Sequence, residues 1–165
     1  MISGPLVYIC FRIYLYNYVA HDANYNKFLI YCHPTLGEAM ALHNHILING
    51  RVHTPPRDID QTIQWLRDLV DAIDMKIVQG PFASYVDKEG NRGITAAVMI
   101  ETSHIAFHVW DEETPALLQF DLYTCSTLPV PTVLRMIDQF MEFESYKYVV
   151  YERANDFNVV ETGKF

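Results

Sequence analysis

The sequence predicts an α+β fold, a two-layer sandwich with a mostly antiparallel sheet and two helices on one face. Three observations carry this expectation. Two segments place apolar residues at helical spacing, and several others are short runs rich in β-forming residues. The connections between successive runs are short, which favours antiparallel pairing over parallel crossovers.

Taken in order, Leu42 to Ile48 reads as a strand ended by the turn pair Asn49-Gly50. Thr54 can cap a helix whose first turn tolerates Pro55. Ile59, Ile63, Leu66, Val70 and Ile73 then recur on one helical face. Met75 to Val78 is a short strand, and Asp87 to Gly93 is a polar loop with two glycines. Ile94 to Ile100, His104 to Trp110 and Leu117 to Thr124 read as strands, the last two separated by a turn over Glu112 to Pro115. A second helix starts near Pro129 or Pro131 and buries Val133, Leu134, Ile137, Phe140 and Met141. Tyr146 to Tyr151 closes the domain, giving about six strands in all.

The 165 residues suit one domain, and an apolar content of 50% supplies a core. Residues 1–38 read as an N-terminal extension ahead of a domain spanning 39–165. Pro5 to Ala20 is apolar and tyrosine-rich but interrupted by Arg12 and Asn17, and it lacks the basic flank of a signal peptide. Met40 directly precedes the first regular strand signal, as a misassigned start codon would leave it; an added strand or a partner-binding arm are the other readings of the extension. A net charge of -8 argues against nucleic acid and suits a cationic substrate. Cys10, Cys32 and Cys125 are too scattered for a disulfide framework, and no run of about 18 apolar residues is present, so a cytoplasmic protein without a membrane span is expected.

The chemistry concentrates in residues 94–125, where Thr95, Glu101, Ser103, His104, His108, Glu112, Asp121 and Cys125 interrupt apolar strands. Each has an ordinary reading alone: a turn serine, a hydrogen-bonded strand histidine, a packing cysteine. His43 and His45 share a strand face and could hold a metal, but no third ligand is evident, so no metal is expected. A glycine-rich phosphate loop and a nucleophile elbow are both missing.

Ser103-His104, then His108-Val109-Trp110-Asp111-Glu112, then Tyr123-Thr124-Cys125, resemble the active-site region of the short prokaryotic, pyruvoyl-dependent S-adenosylmethionine decarboxylases. Gly93-Ile94-Thr95 and the strand running into Phe82 extend the resemblance, which covers roughly Met40 to Arg153. It implies a proenzyme that cuts its own chain between Thr102 and Ser103. The Ser103 hydroxyl attacks the Thr102 carbonyl, His108 promotes elimination, and Ser103 becomes a covalent pyruvoyl group able to form a Schiff base with a substrate amine. By the same resemblance Cys125 reprotonates the α-carbon, Thr95 assists processing, Phe82 stacks on adenine and Glu112 binds the ribose hydroxyls. A homodimer of cleaved protomers, supplying the aminopropyl donor for spermidine synthesis, completes the implied picture.

Thr102 stands where the family has glutamate, with Glu101 one place earlier, and Ser126 stands in place of glycine. Ser103 and His108 are five positions apart, so a regular strand would put them on opposite faces; a bend, a bulge or backbone strain is expected near Thr102-Ser103. Two other functions compete: a pyruvoyl decarboxylase of arginine or ornithine, which would need neither Phe82 nor Glu112, and an uncleaved regulatory paralogue.

Overall fold

The computed structural model describes residues 42–165, so the expected extension over residues 1–38, with Cys10 and Cys32, lies outside the described residues. Among the described residues, seven antiparallel strands form one sheet in the order β2-β3-β4-β5-β1-β6-β7. They are β1 (Asn44–Val52), β2 (Ile77–Val86), β3 (Gly93–Ile100), β4 (Ser103–Trp110), β5 (Ala116–Thr124), β6 (Phe143–Glu152) and β7 (Asn158–Lys164), with α1 (Ile59–Ala72) and α2 (Val130–Met141) between them. The α+β class and the two helices agree with the sequence expectation.

Alternation decides which face is covered. Ile46 and Ile48 of β1, Ile94, Ala96 and Val98 of β3, Ile105, Phe107 and Val109 of β4, and Leu118, Phe120 and Leu122 of β5 are all buried and form one core. Leu66, Leu69 and Val70 of α1 and Val133, Ile137 and Met141 of α2 close over it. Trp65 ties the layers: its ring meets Phe107 edge-on at 5.5 Å, stacks on Phe140 at 5.0 Å, and donates Nε1–H to the Met136 carbonyl at 3.1 Å. Burying such a side chain contributes about 2–3 kcal/mol.

Several local expectations are corrected. Asn49-Gly50 is not a turn, because β1 continues to Val52 as an interior strand bonded to both β5 and β6. Ladder bonds on both sides outweigh the turn preference of that pair. A Cβ at Gly50 would stand 2.9 Å from the Phe143 ring, so the glycine makes room for a neighbour. The α1 cap is Asp58 rather than Thr54, with its carboxylate accepting from Gln61 N–H at 2.9 Å. Ile59 therefore sits at the helix start and is 41% exposed; Thr62, Trp65 and Leu69 join Leu66 and Val70 on the buried face instead. β2 runs well past Val78, its register shifting on the way to Phe82. β6 is not the last strand: a polar turn over residues 153–157 returns the chain as β7, whose Glu161 accepts from Tyr148 at 2.6 Å.

Candidate active site

The β3–β4 hairpin turns on Glu101 and Thr102 and begins its return at Ser103, which pairs with Ile100 and, across β5, with Thr124. Ser103 has φ 152°, a value that L-residues rarely adopt and that costs on the order of 1–3 kcal/mol. The expected irregularity is thus in the backbone angle, while the β4 ladder itself runs without a shift. The Thr102 side is pinned as well. Its carbonyl oxygen accepts from Cys125 N–H at 3.1 Å, and its hydroxyl accepts from Thr124 Oγ1 at 3.0 Å.

A polar cluster surrounds this peptide on the sheet face away from the helices. Ser103 Oγ lies 3.1 Å from Nδ1 of His104. His104 Nε2 lies 3.2 Å from one oxygen of Asp121, and His45 Nε2 lies 2.9 Å from the other. Tyr123 fills the cross-strand position between His104 and His45, its ring 6.0 Å and 5.8 Å from theirs. The Arg153 guanidinium covers that ring at 4.2 Å. Cys125 Sγ is 3.6 Å from His43 Nδ1 and 3.8 Å from the Tyr123 hydroxyl, which is itself 2.7 Å from His43. Among the described residues, no group of three or more His, Cys, Asp or Glu side chains is arranged to hold a metal ion.

Ser103, Thr102 and Cys125 are therefore brought together. His108 and Thr95 form a second group, paired across β3 and β4. Five residues of strand separate His108 from Ser103, about 16 Å. His108 packs on Trp110 with ring centroids 3.9 Å apart, and burial lowers the basicity of its imidazole. Its Nε2 is buried without a hydrogen-bond partner among the described residues. Thr95, His108, Asp121 and Leu47 border an open concavity of about 680 Å³, within the range of small-molecule sites. Phe82, 59% exposed, pairs with Ala97 beside Thr95. Glu112 lies past the far end of β4, about 30 Å of strand from Ser103, where it accepts from Gly90 N–H at 2.8 Å.

The sequence reading gives no catalytic role to His104, Asp121, His45, His43 or Tyr123, yet His104 is the group that meets Ser103, and His43 and Tyr123 are those that meet Cys125. A signal was present: His104 alternates with the core residues of β4, as Asp121 and Tyr123 do with those of β5. What the sequence lacks is the register that sets β1 beside β5.

Comparison with known proteins finds relatives of this chain. The family model for S-adenosylmethionine decarboxylase matches residues 45–154. A Clostridium botulinum S-adenosylmethionine decarboxylase proenzyme is 31% identical over 93 residues, 56% of this chain and 63% of that protein. Proteins of the same name from Archaeoglobus fulgidus (27% over 90 residues, 54% of this chain and 79% of that protein) and Thermococcus kodakarensis (36% over 66 residues, 40% and 43%) are also similar. The match spans 63% of the length of the Clostridium relative. The match covers most of the sheet together with the Thr102–Ser103 hairpin, and this chain belongs to the S-adenosylmethionine decarboxylase family.

Proposed function

We propose that the chain is a self-processing, pyruvoyl-dependent decarboxylase of S-adenosylmethionine, cut between Thr102 and Ser103. The observation that carries this reading is the state of that one peptide: a carbonyl held by the Cys125 N–H, followed by a serine with strained φ whose hydroxyl meets an imidazole. A main-chain donor on a carbonyl stabilises the oxyanion that forms when a hydroxyl adds to it. A pyruvoyl group made from Ser103 fits this donor set, and when present it supplies an electron sink for the pair left behind by departing carbon dioxide. In this reading the thiol of Cys125, the residue whose N–H meets the Thr102 carbonyl, delivers a proton to carbon. His43 and Tyr123 hold that thiol in position.

The likeness to relatives named as S-adenosylmethionine decarboxylase proenzymes supports the substrate. Exposed Phe82 offers a ring face to an adenine or a sulfonium, and the net charge of -8 favours a cation. The product would be the aminopropyl donor for spermidine synthesis. Among the described residues no helix is long and apolar enough to cross a membrane.

The separation of the two groups supports a homodimer. His108, Thr95 and Glu112 cannot reach Ser103 within one chain, whereas the sheet face opposite the helices, open among the described residues, carries both groups and exposed Leu47 and Met99. Two copies stacked through that face about a two-fold axis would bring Ser103 and Cys125 against His108 of the partner subunit. Glu112 of the partner subunit then becomes the candidate for the ribose hydroxyls. Release of labelled carbon dioxide from S-adenosylmethionine, with arginine and ornithine run alongside, tests the substrate. Turnover of either amino acid in preference to S-adenosylmethionine would overturn it.

A further inference from the structure

The self-processing reading leaves open which group takes the proton from Ser103. His108 is assigned to elimination, and it lies too far along β4 to serve this hydroxyl within one chain. We infer that His104, held by Asp121 and His45, is the base that starts the acyl shift; this rests on the processing reading above.

The tautomers follow from the partners. An ionised Asp121 can only accept, so Nε2 of both His104 and His45 must carry hydrogen toward it. Neutral His104 then presents the lone pair of Nδ1 to the Ser103 hydroxyl, 3.1 Å away. This is the logic of a serine–histidine–carboxylate triad with the two ring nitrogens exchanged. His45 is the more sheltered imidazole, its side chain 16% exposed against 45% for His104, so it anchors the carboxylate while His104 works at the surface.

Ser103 Oγ bonds to the Thr102 carbonyl carbon and gives its proton to His104 Nδ1, while the carbonyl oxygen takes up negative charge against the Cys125 N–H. The carbon–nitrogen bond breaks, and His104 returns the proton to the departing Ser103 nitrogen, leaving an ester and a free amine. His108 of the partner subunit then takes the Ser103 α-proton as the Thr102 carboxylate leaves; the resulting enamine gains a proton at its β-carbon, and water replaces the imine nitrogen, which leaves as ammonia. His104 touches the reacting oxygen and is catalytic in the first stage only; Asp121 and His45 act through it as positioning residues.

Cell-free synthesis of the full chain, followed by intact mass with and without hydroxylamine, separates the stages, because hydroxylamine cleaves an ester but not the original peptide. Wild type should cut. His104→Ala should stay whole and resist hydroxylamine, and added imidazole should restore cutting; His108→Ala should accumulate an ester that hydroxylamine cleaves. Asp121→Asn should slow cutting at least tenfold, with Asp121→Glu recovering part of the loss. If His104→Ala fails to fold by circular dichroism, His104→Gln decides in its place. Cutting of the folded His104 variant at the wild-type rate, or an ester formed in it without imidazole, would overturn the inference and leave self-processing intact. A wild-type chain that stays whole would overturn both.

Discussion

The main-chain N–H of Cys125 donates to the carbonyl oxygen of Thr102 at 3.1 Å, so one residue serves two stages with two different groups. Its backbone supports the carbonyl under attack, and its thiol faces His43 for later proton delivery. The roles should separate on substitution. Cys125→Ala keeps the N–H, so the chain should still be cut within a few-fold of the wild-type rate. Decarboxylation should fall about 100-fold or more. Mass analysis of cutting beside carbon dioxide release checks this, and equal loss of both would argue against the division.

Subunit complementation tests the shared site. Ser103→Ala lacks the nucleophile and His108→Ala lacks the second imidazole, so neither should complete processing alone. Co-expressed, mixed dimers should cut the His108→Ala copies, which keep Ser103 and meet His108 of the partner subunit. Completed cutting of His108→Ala on its own would remove the need for a partner.

Acid stability should depend on Asp111. This buried carboxylate accepts from Arg57 at 2.6 Å, Tyr85 at 2.9 Å and Arg92 at 3.4 Å. Burial pushes its pKa upward, but the Tyr85 and Arg57 hydrogen bonds outweigh burial and hold it below the ordinary value. The native state therefore binds the proton less readily than the unfolded chain. The contribution is complete above the unfolded value, about 4, and is lost as pH falls through the folded one. Asp111→Asn should cost about 1–3 kcal/mol near pH 7 and flatten the stability curve below pH 5, as urea midpoints would record.

His108 should act in a higher window. Burial lowers its pKa, so the folded chain resists a proton that the unfolded chain accepts. Stability should begin to fall as pH drops below about 6.5, and His108→Gln should lessen that decline. Unchanged slopes between pH 7 and 5 in the variant would place the imidazole in a more exposed setting.

Gly93 sets the hairpin that carries Thr95. It has φ 151°, and a Cβ there would stand 1.8 Å from the Val109 carbonyl oxygen. Gly93→Ala should lower stability by about 2 kcal/mol or more and slow processing with it. Thermal melting and cutting rate should move together.

Much of the fold was legible because alternation in β3, β4 and β5 and the apolar stripe of α2 are local signals. The misread pieces are those where distant partners decide. Asn49-Gly50 has the chemistry of a turn, yet β5 and β6 on either side carry β1 through it. β7 is exposed along almost its whole length, Val159 and Val160 included, so its residues give no burial pattern, and only the β6 edge defines it. At the site, the motif marked Ser103, His108 and Cys125 by order along the chain. It could not show that His104 meets Ser103 while His108 stands five residues away, because that depends on face and backbone angle. His45 enters through the β1–β5 register, which no motif around Ser103 contains.

Intact-mass analysis of the purified wild-type protein beside Ser103→Ala decides whether the chain cuts itself. Wild type should give two chains, residues 1–102 and a C-terminal chain blocked to Edman degradation and lighter by one ammonia than a serine-started chain. Ser103→Ala should remain whole. A single uncut wild-type chain after long incubation would contradict self-processing and favour an uncleaved, non-catalytic member of the family.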